Sequence, residues 1–315
     1  MSFDAILGQD AAIGLLKEAL VKERVASAYL FYGPDGVGKR TAAMAFARAV
    51  LCSDRRIAAA CGECPACRRS RAGSHPGLIV LERRAKKTMI VIDQVHELAA
   101  SLALRPMEGD STVVVIDEVE RTNVEVHNAL LKTLEEPPPG TTIVLVTPNR
   151  DALPATIRSR CQPVRFRPLP RAIVTDILSS RGDIDPELLP DLTERAAGSP
   201  GRALRLLELG FPESGRAIHR AVASSAETDP VDLADALFAA TGEAGDLRGR
   251  VREILLMLVD EIRARYLDGG AETRDPERAS AALGPLTEAL ERIDLNVDPR
   301  ITLRSVVIRI RPILR

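Results

Sequence analysis

The apolar segment Ala28-Tyr29-Leu30-Phe31-Tyr32 runs straight into Gly33-Pro34-Asp35-Gly36-Val37-Gly38-Lys39-Arg40. A helical pattern through Ala42, Ala43, Ala45, Phe46 and Val50 follows. Strand, glycine-rich loop and helix is the setting in which G-x-x-x-x-G-K-[ST] wraps phosphates. Backbone amides cradle the oxygens, the lysine neutralises their outer charge, and the closing hydroxyl ligates magnesium. Gly33, Gly36, Gly38 and Lys39 fit this pattern, but Arg40 stands where the hydroxyl belongs. A guanidinium cannot ligate a metal, and it carries positive charge toward the place of a dication. Thr41 comes one residue later, and one helical step turns a side chain by about 100°. The loop commits the chain to a P-loop α/β architecture while removing a part that Mg-assisted phosphoryl transfer uses.

Two further strand ends bear on the same crevice. Thr112 to Ile116 is a β-branched run of the kind buried in a parallel sheet, and it ends in Asp117-Glu118. An acidic pair there meets magnesium and polarises water in P-loop ATPases, although acidic residues at strand ends also form turns. Thr142 to Val146 is the next strand, running on to Asn149, a polar group at the carboxyl edge where α/β ligands bind. Between them, Asn123 to Glu136 has helical spacing and is stopped by Pro137-Pro138-Pro139-Gly140.

Cysteine usage carries a second chemistry. Cys52, Cys61, Cys64 and Cys67 read C-x8-C-x2-C-x2-C. Spacings of that kind bring thiolates within reach of one ion, and four sulfurs close a tetrahedron. A closed set leaves no position for water or substrate, so the expectation is a structural Zn2+ within a module at about 52–67. A redox pair or buried apolar thiols are the alternatives. Cys161 is left over as a packed thiol.

The 315 residues carry 43 Lys plus Arg against 44 Asp plus Glu, for a formal charge of -1. No global basic field is available to drive nucleic-acid binding, and 3% aromatic residues without Trp argue against a base-stacking platform. No apolar run approaches the roughly 18 residues of a membrane helix, and the N-terminus has no signal-peptide pattern, which predicts a cytoplasmic chain.

Helical spacing at Gln9 to Lys22 and at Asp93 to Leu104, the latter stopped by Pro106, and a strand at Leu78 to Leu81 complete a three-layer α/β domain up to about residue 167. Arg167-Pro168-Leu169-Pro170 reads as a hinge. A small helical unit follows to about 210, then long helical patterns at Leu247 to Tyr266, Pro276 to Ile293 and Pro299 to Leu314. The run Arg83, Arg84, Lys86 and Lys87 reads as a solvated loop, and His75, His96 and His127 as surface or packing residues. Arg158 and Arg160, in Ile157-Arg158-Ser159-Arg160-Cys161, read on composition alone as solvated charge. Arginine is also the residue that stabilises a transferring phosphoryl when inserted from a neighbouring subunit.

Several blocks together resemble the bacterial DNA polymerase III clamp-loader family, and within it the delta prime subunits. They are Ile6-Leu7-Gly8-Gln9, Gly33 to Arg40, the four-cysteine module, Val115-Ile116-Asp117-Glu118, Asn128 to Pro138 and Ser159-Arg160-Cys161. The resemblance implies an AAA+ domain at 1–167, a helical lid at 168–210 and a helical collar at 211–315. It also implies a hetero-oligomeric ring with gamma or tau and delta subunits that loads the sliding clamp (beta) onto primed DNA. The sister ATPase subunits keep Ser or Thr at the position of Arg40 and read Gly-Ser-x-Arg-Asp-Ala-Leu in the lid. Here the lid is Gly198-Ser199-Pro200-Gly201-Arg202-Ala203-Leu204, with Gly201 at the arginine's place. Loss of both parts beside a kept Arg160 implies a non-hydrolysing subunit of the polymerase holoenzyme, ATP binding weak or absent, with Arg160 serving a neighbour. A working gamma/tau-type ATPase, with Thr41 or water replacing the hydroxyl, and an independent DNA-binding zinc protein are the rival readings.

Overall fold

The computed structural model describes residues 3–54, 59–84, 89–103, 111–224, 227–240, 247–267, 275–295 and 297–314. Leu104, Pro106, Lys86 and Lys87 lie outside them. The chain divides into two compact units, Met1–Ile184 with Ala196–Gly201, and Asp185–Arg195 with Arg202–Arg315.

The first unit is built on five parallel strands: β1 (Ala28–Tyr32), β2 (Leu78–Leu81), β3 (Thr112–Ile116), β4 (Thr141–Thr147) and β5 (Gln162–Arg165), in the order β2-β3-β4-β1-β5. Its helices are α1 (Asp10–Val21), α2 (Lys39–Leu51), α3 (Pro65–Ala72), α4 (Ile92–Ala103), α5 (Val124–Glu135), α6 (Ala155–Arg158) and α7 (Arg171–Ser179). The three central strands are nearly continuous apolar runs because both sheet faces are covered, and successive residues point to opposite faces. Tyr29, Phe31, Val113, Val115, Val144 and Val146 join Phe46 of α2 in one core. Their neighbours Ala28, Leu30, Val114, Ile116, Ile143 and Leu145 join Leu98 of α4, Leu130 and Leu134 of α5 and Ile157 of α6 in the other. Aromatic packing anchors the first core, with the Tyr29 and Phe46 rings edge to face at 5.0 Å.

The helix α5 has a defined start and stop. Asn123 caps it by accepting from the Val126 amide at 2.9 Å, and the prolines after Glu136 cannot continue it. The buried stripe Val126, Leu130 and Leu134 has the spacing of one helical face.

The second unit is helical: α8 (Leu189–Arg195), the part of α9 (Pro200–Glu208) after Gly201, α10 (Glu213–Ala223), α11 (Pro230–Ala240), α12 (Leu247–Tyr266), α13 (Pro276–Asp294) and α14 (Pro299–Leu314). The last three follow the sequence expectation closely. On α14 the residues Leu303, Val306, Val307, Ile310 and Leu314 form the buried stripe, and Tyr266 of α12 donates its hydroxyl to the Ile313 carbonyl at 3.2 Å. No helix among the described residues is long and apolar enough to cross a membrane.

Candidate functional site

β1 delivers the chain into the loop Gly33–Gly38, and α2 begins at Lys39 behind a left-handed Gly38. The Lys39 ammonium donates to the carbonyls of Gly33 at 2.6 Å and Pro34 at 2.7 Å, and lies 3.6 Å from the Asp35 carboxylate. An ammonium has three donors; two find carbonyl acceptors within its own loop, and the Asp35 carboxylate adds an ion pair. The side chain is 6% exposed. Burial pushes the Lys39 pKa down, while Asp35, Glu120 and Asp117 pull it back up.

Arg40 takes the position beside the acidic strand end. Its Nη2 meets Glu82 Oε2 at 2.6 Å and its Nε lies 3.5 Å from Asp117 Oδ2. Strand register explains the bridge. Leu81 of β2 is paired with Ile116 of β3, so the next residues, Glu82 and Asp117, leave the sheet side by side. Burial pushes the Asp117 pKa up, with Arg40 the main opposing influence. Glu118, in the left-handed region at φ 51, is paired with Arg83 and lies 3.4 Å from Arg121. The basic run at Arg83 and Arg84 is therefore tied to acidic groups, Arg84 to Glu97 at 2.7 Å. Both acids of the Asp117-Glu118 pair have arginine neighbours where a metal-binding site would keep carboxylates for a cation.

The segment Ala196–Gly201 closes on the same loop. Ser199 Oγ donates to the Asp35 carbonyl at 2.6 Å, and the Gly201 amide donates to the Gly36 carbonyl at 3.1 Å. A Cβ on Gly201 would stand 2.6 Å from Gly36 Cα, nearer than side chains pack. An arginine at this position therefore has no room in this arrangement. Arg202 is engaged elsewhere, in the second unit, with Asp260 at 2.8 Å and the buried Glu253 at 3.9 Å.

Thr41 is half-buried one step further around α2. Asn149 lies two residues beyond the end of β4, and its side-chain oxygen caps the following turn by accepting from the Asp151 amide at 2.9 Å. Arg160 follows α6. Its Nη2 meets Glu135 Oε1 at 2.7 Å and its Nη1 donates to the Thr156 carbonyl at 2.9 Å.

The four cysteines converge as their spacing predicts, with all Sγ atoms within 4.8 Å of one another. Cys52 and Cys64 Sγ are 4.0 Å apart, and Cys61 and Cys67 Sγ 3.9 Å. A tetrahedral zinc with bonds of about 2.3 Å has sulfur–sulfur edges of about 3.8 Å, so the donor set fits that ion. The amides of Cys61, Cys64 and Cys67 donate to Sγ of Cys52, Cys61 and Cys64 at 3.3–3.4 Å, the arrangement that supports thiolate charge. Cys64 caps the start of α3 and Cys52 the end of α2, so the cluster ties the two helix ends together. Cys161 packs in the second core, and burial pushes its thiol up to about 12. His75 is buried, and His127 bonds Thr122 at 2.7 Å, both as packing groups.

Three partners were not singled out in the sequence: Glu82, Glu120 and Glu135. Burial pushes the Glu120 carboxyl up to about 7, and its Oε2 has no hydrogen-bond partner among the described residues. Its place two residues beyond Asp117-Glu118 was the available signal. Glu82 required the strand register, and Glu135 the packing of α6 against α5.

A β2-β3-β4-β1-β5 parallel sheet with a phosphate loop between β1 and α2, a four-cysteine cluster after that helix and an all-helical C-terminal region define an AAA+-like P-loop protein. Residues 8–170 match the family described as "DNA polymerase III, delta subunit". The chain belongs to this family of clamp-loader-related AAA+ proteins. It is 40% identical over 190 residues to DNA polymerase III subunit delta' of Pseudomonas aeruginosa, covering 60% of this chain and 58% of that protein. It is 30% identical over 273 residues to DNA polymerase III subunit tau of Escherichia coli, covering 85% of this chain and 41% of that one. The chain thus spans less than two thirds of the length of these curated relatives. Among solved structures, a DNA polymerase III gamma subunit-related protein from Thermotoga maritima shares the fold, with a TM-score of 0.50 at 17% identity, over 96% of this chain and 100% of that one.

Proposed function

We propose that this chain is a delta-prime-type, non-hydrolysing stator of a bacterial clamp loader. In this reading 1–167 is the AAA+ domain, 168–210 the lid and 211–315 the collar through which it joins gamma or tau and delta subunits. The cytoplasmic complex loads the sliding clamp onto primed DNA. The four cysteines hold a structural zinc, and Arg160 enters the ATP site of an adjacent subunit to stabilise the transferring phosphoryl.

The observation that carries this reading is the closure of the phosphate loop from within. Lys39 is spent on Gly33, Pro34 and Asp35, Arg40 stands at Asp117 and Glu82, and Gly201 fills the place of the sister's lid arginine with a backbone contact. Arg160 lies at the surface after α6, its guanidinium held by Glu135 and the Thr156 carbonyl. Arginine fingers contribute about a thousand-fold or more to turnover in related enzymes. In a reconstituted loader, Arg160→Ala should depress clamp- and DNA-stimulated ATPase and loading while the complex still assembles. Unchanged ATPase would refute the finger role.

The identity to tau subunits and the retained Gly38, Lys39, Asp117 and Glu118 support a second reading, a gamma/tau-type working ATPase. ATP turnover by the purified chain, abolished by Lys39→Ala, would establish it in place of the first.

A further inference from the structure

Arg160 is anchored at both ends. Its backbone follows the single-turn helix α6, whose Ile157 is fully buried among Leu130 and Leu134 of α5, and the next residue, Cys161, is buried in the same core. The Arg160 amide closes the turn on the Ile157 carbonyl at 3.1 Å. At the other end of the side chain, Nη1 is held by the Thr156 carbonyl at 2.9 Å, with Ser159 Oγ at 3.4 Å, and Nη2 by Glu135 at 2.7 Å. Glu135 is the last residue of α5, so its backbone is fixed by the same core that fixes α6.

A free arginine carries about 2 kcal/mol of rotamer entropy, which a trans-acting guanidinium must lose when it meets its target. Two tethers from two packed helices remove much of that freedom beforehand. They also leave donors over. A guanidinium has five N–H groups; Thr156 and Ser159 take the two on Nη1 and Glu135 one on Nη2, so among the described residues Nε–H and the second Nη2 hydrogen are left to meet an anionic oxygen.

We propose that Glu135 is the positioning residue for Arg160, holding its guanidinium in the orientation presented to the neighbouring subunit. This rests on the finger role proposed above. Glu135 touches neither nucleotide nor reacting atoms; it acts through Arg160. Any effect of Glu135 must therefore vanish when Arg160 is gone, and an uncharged acceptor in its place must retain much of the effect.

The test is a double-mutant cycle in the reconstituted loader, reading clamp- and DNA-stimulated ATPase as kcat and KM separately. Glu135→Ala should lower kcat about fivefold, the scale of one partly exposed ion pair, with KM for ATP within about twofold of wild type and assembly unchanged. Glu135→Gln, which keeps an acceptor oxygen, should recover most of that loss. Added to Arg160→Ala, Glu135→Ala should change nothing further. Wild-type kcat in Glu135→Ala beside a low kcat in Arg160→Ala would overturn the positioning role and leave the finger standing. An additional loss in the double variant would also overturn it. Wild-type kcat in Arg160→Ala would fell the finger role, and this inference with it.

Discussion

The amide of Gly201 donates to the carbonyl of Gly36 at 3.1 Å, a backbone-to-backbone contact between the phosphate loop and the segment Ala196–Gly201. A Cβ on Gly36 would lie 2.8 Å from Gly201 Cα, and one on Gly201 2.6 Å from Gly36 Cα, so each glycine requires the other. Gly36 also has φ 73, where a side chain is strained in any case.

Substituting Gly201→Ala should destabilise the first unit by about 1–3 kcal/mol, the cost of forcing a methyl into packed backbone. A thermal melt should show a midpoint lower by several degrees. Gly201→Arg, although it restores the sister's residue, should not restore turnover, because Lys39 and Arg40 remain engaged. An unchanged melt for Gly201→Ala would mean that the contact is not held in solution.

Restoring the hydroxyl alone is predicted to be insufficient. Arg40→Thr releases Glu82 and Asp117 from their shared cation but leaves Lys39 on its own loop and Gly201 against Gly36. Phosphate release by the purified variant should stay at the level of the wild-type chain. A clear gain of Mg2+-dependent hydrolysis would show that Arg40 is the single block.

Glu120 gives the first unit a pH dependence of definite sign. Burial raises its pKa from an ordinary 4.5 to about 7, so the folded state favours the protonated form. The stability this contributes is fully present below about pH 4.5 and is lost as pH rises through about 7, on the order of 3 kcal/mol in all. Glu120→Gln cannot ionise. Its melting temperature should exceed the wild-type value by several degrees at pH 8, with the difference fading toward pH 5; equal midpoints at pH 8 would contradict the assignment.

Elemental analysis of native protein should find about one zinc per chain, and Cys64→Ser should lower it and loosen the module around α3. Protein prepared anaerobically without chelator and free of zinc would overturn the metal assignment.

What was legible in the sequence was local. The strand–loop–helix context of Gly33 to Arg40, the cysteine spacing and the helical periods at Leu247 to Tyr266 and Pro299 to Leu314 are set by neighbouring residues, and the structure reproduces them. The ion pairs around the site depend on register and packing. Glu82 reaches Arg40 because β2 and β3 pair as Leu81 with Ile116, and Glu135 reaches Arg160 because Ile157 seats α6 against α5. Nor does chain order follow the units, since Asp185–Arg195 joins the helical unit while Ala196–Gly201 returns to the first. That return brings Gly201 to Gly36, a contact that no periodicity announces.

In the proposed reading the phosphate loop of this chain does not run Mg-dependent ATP chemistry. Calorimetric titration of the purified chain with ATP, with and without Mg2+, paired with phosphate release, tests it most directly. Weak or no binding, no gain on adding Mg2+, and no turnover are expected. Binding that tightens with Mg2+, accompanied by hydrolysis that Lys39→Ala abolishes, would contradict it.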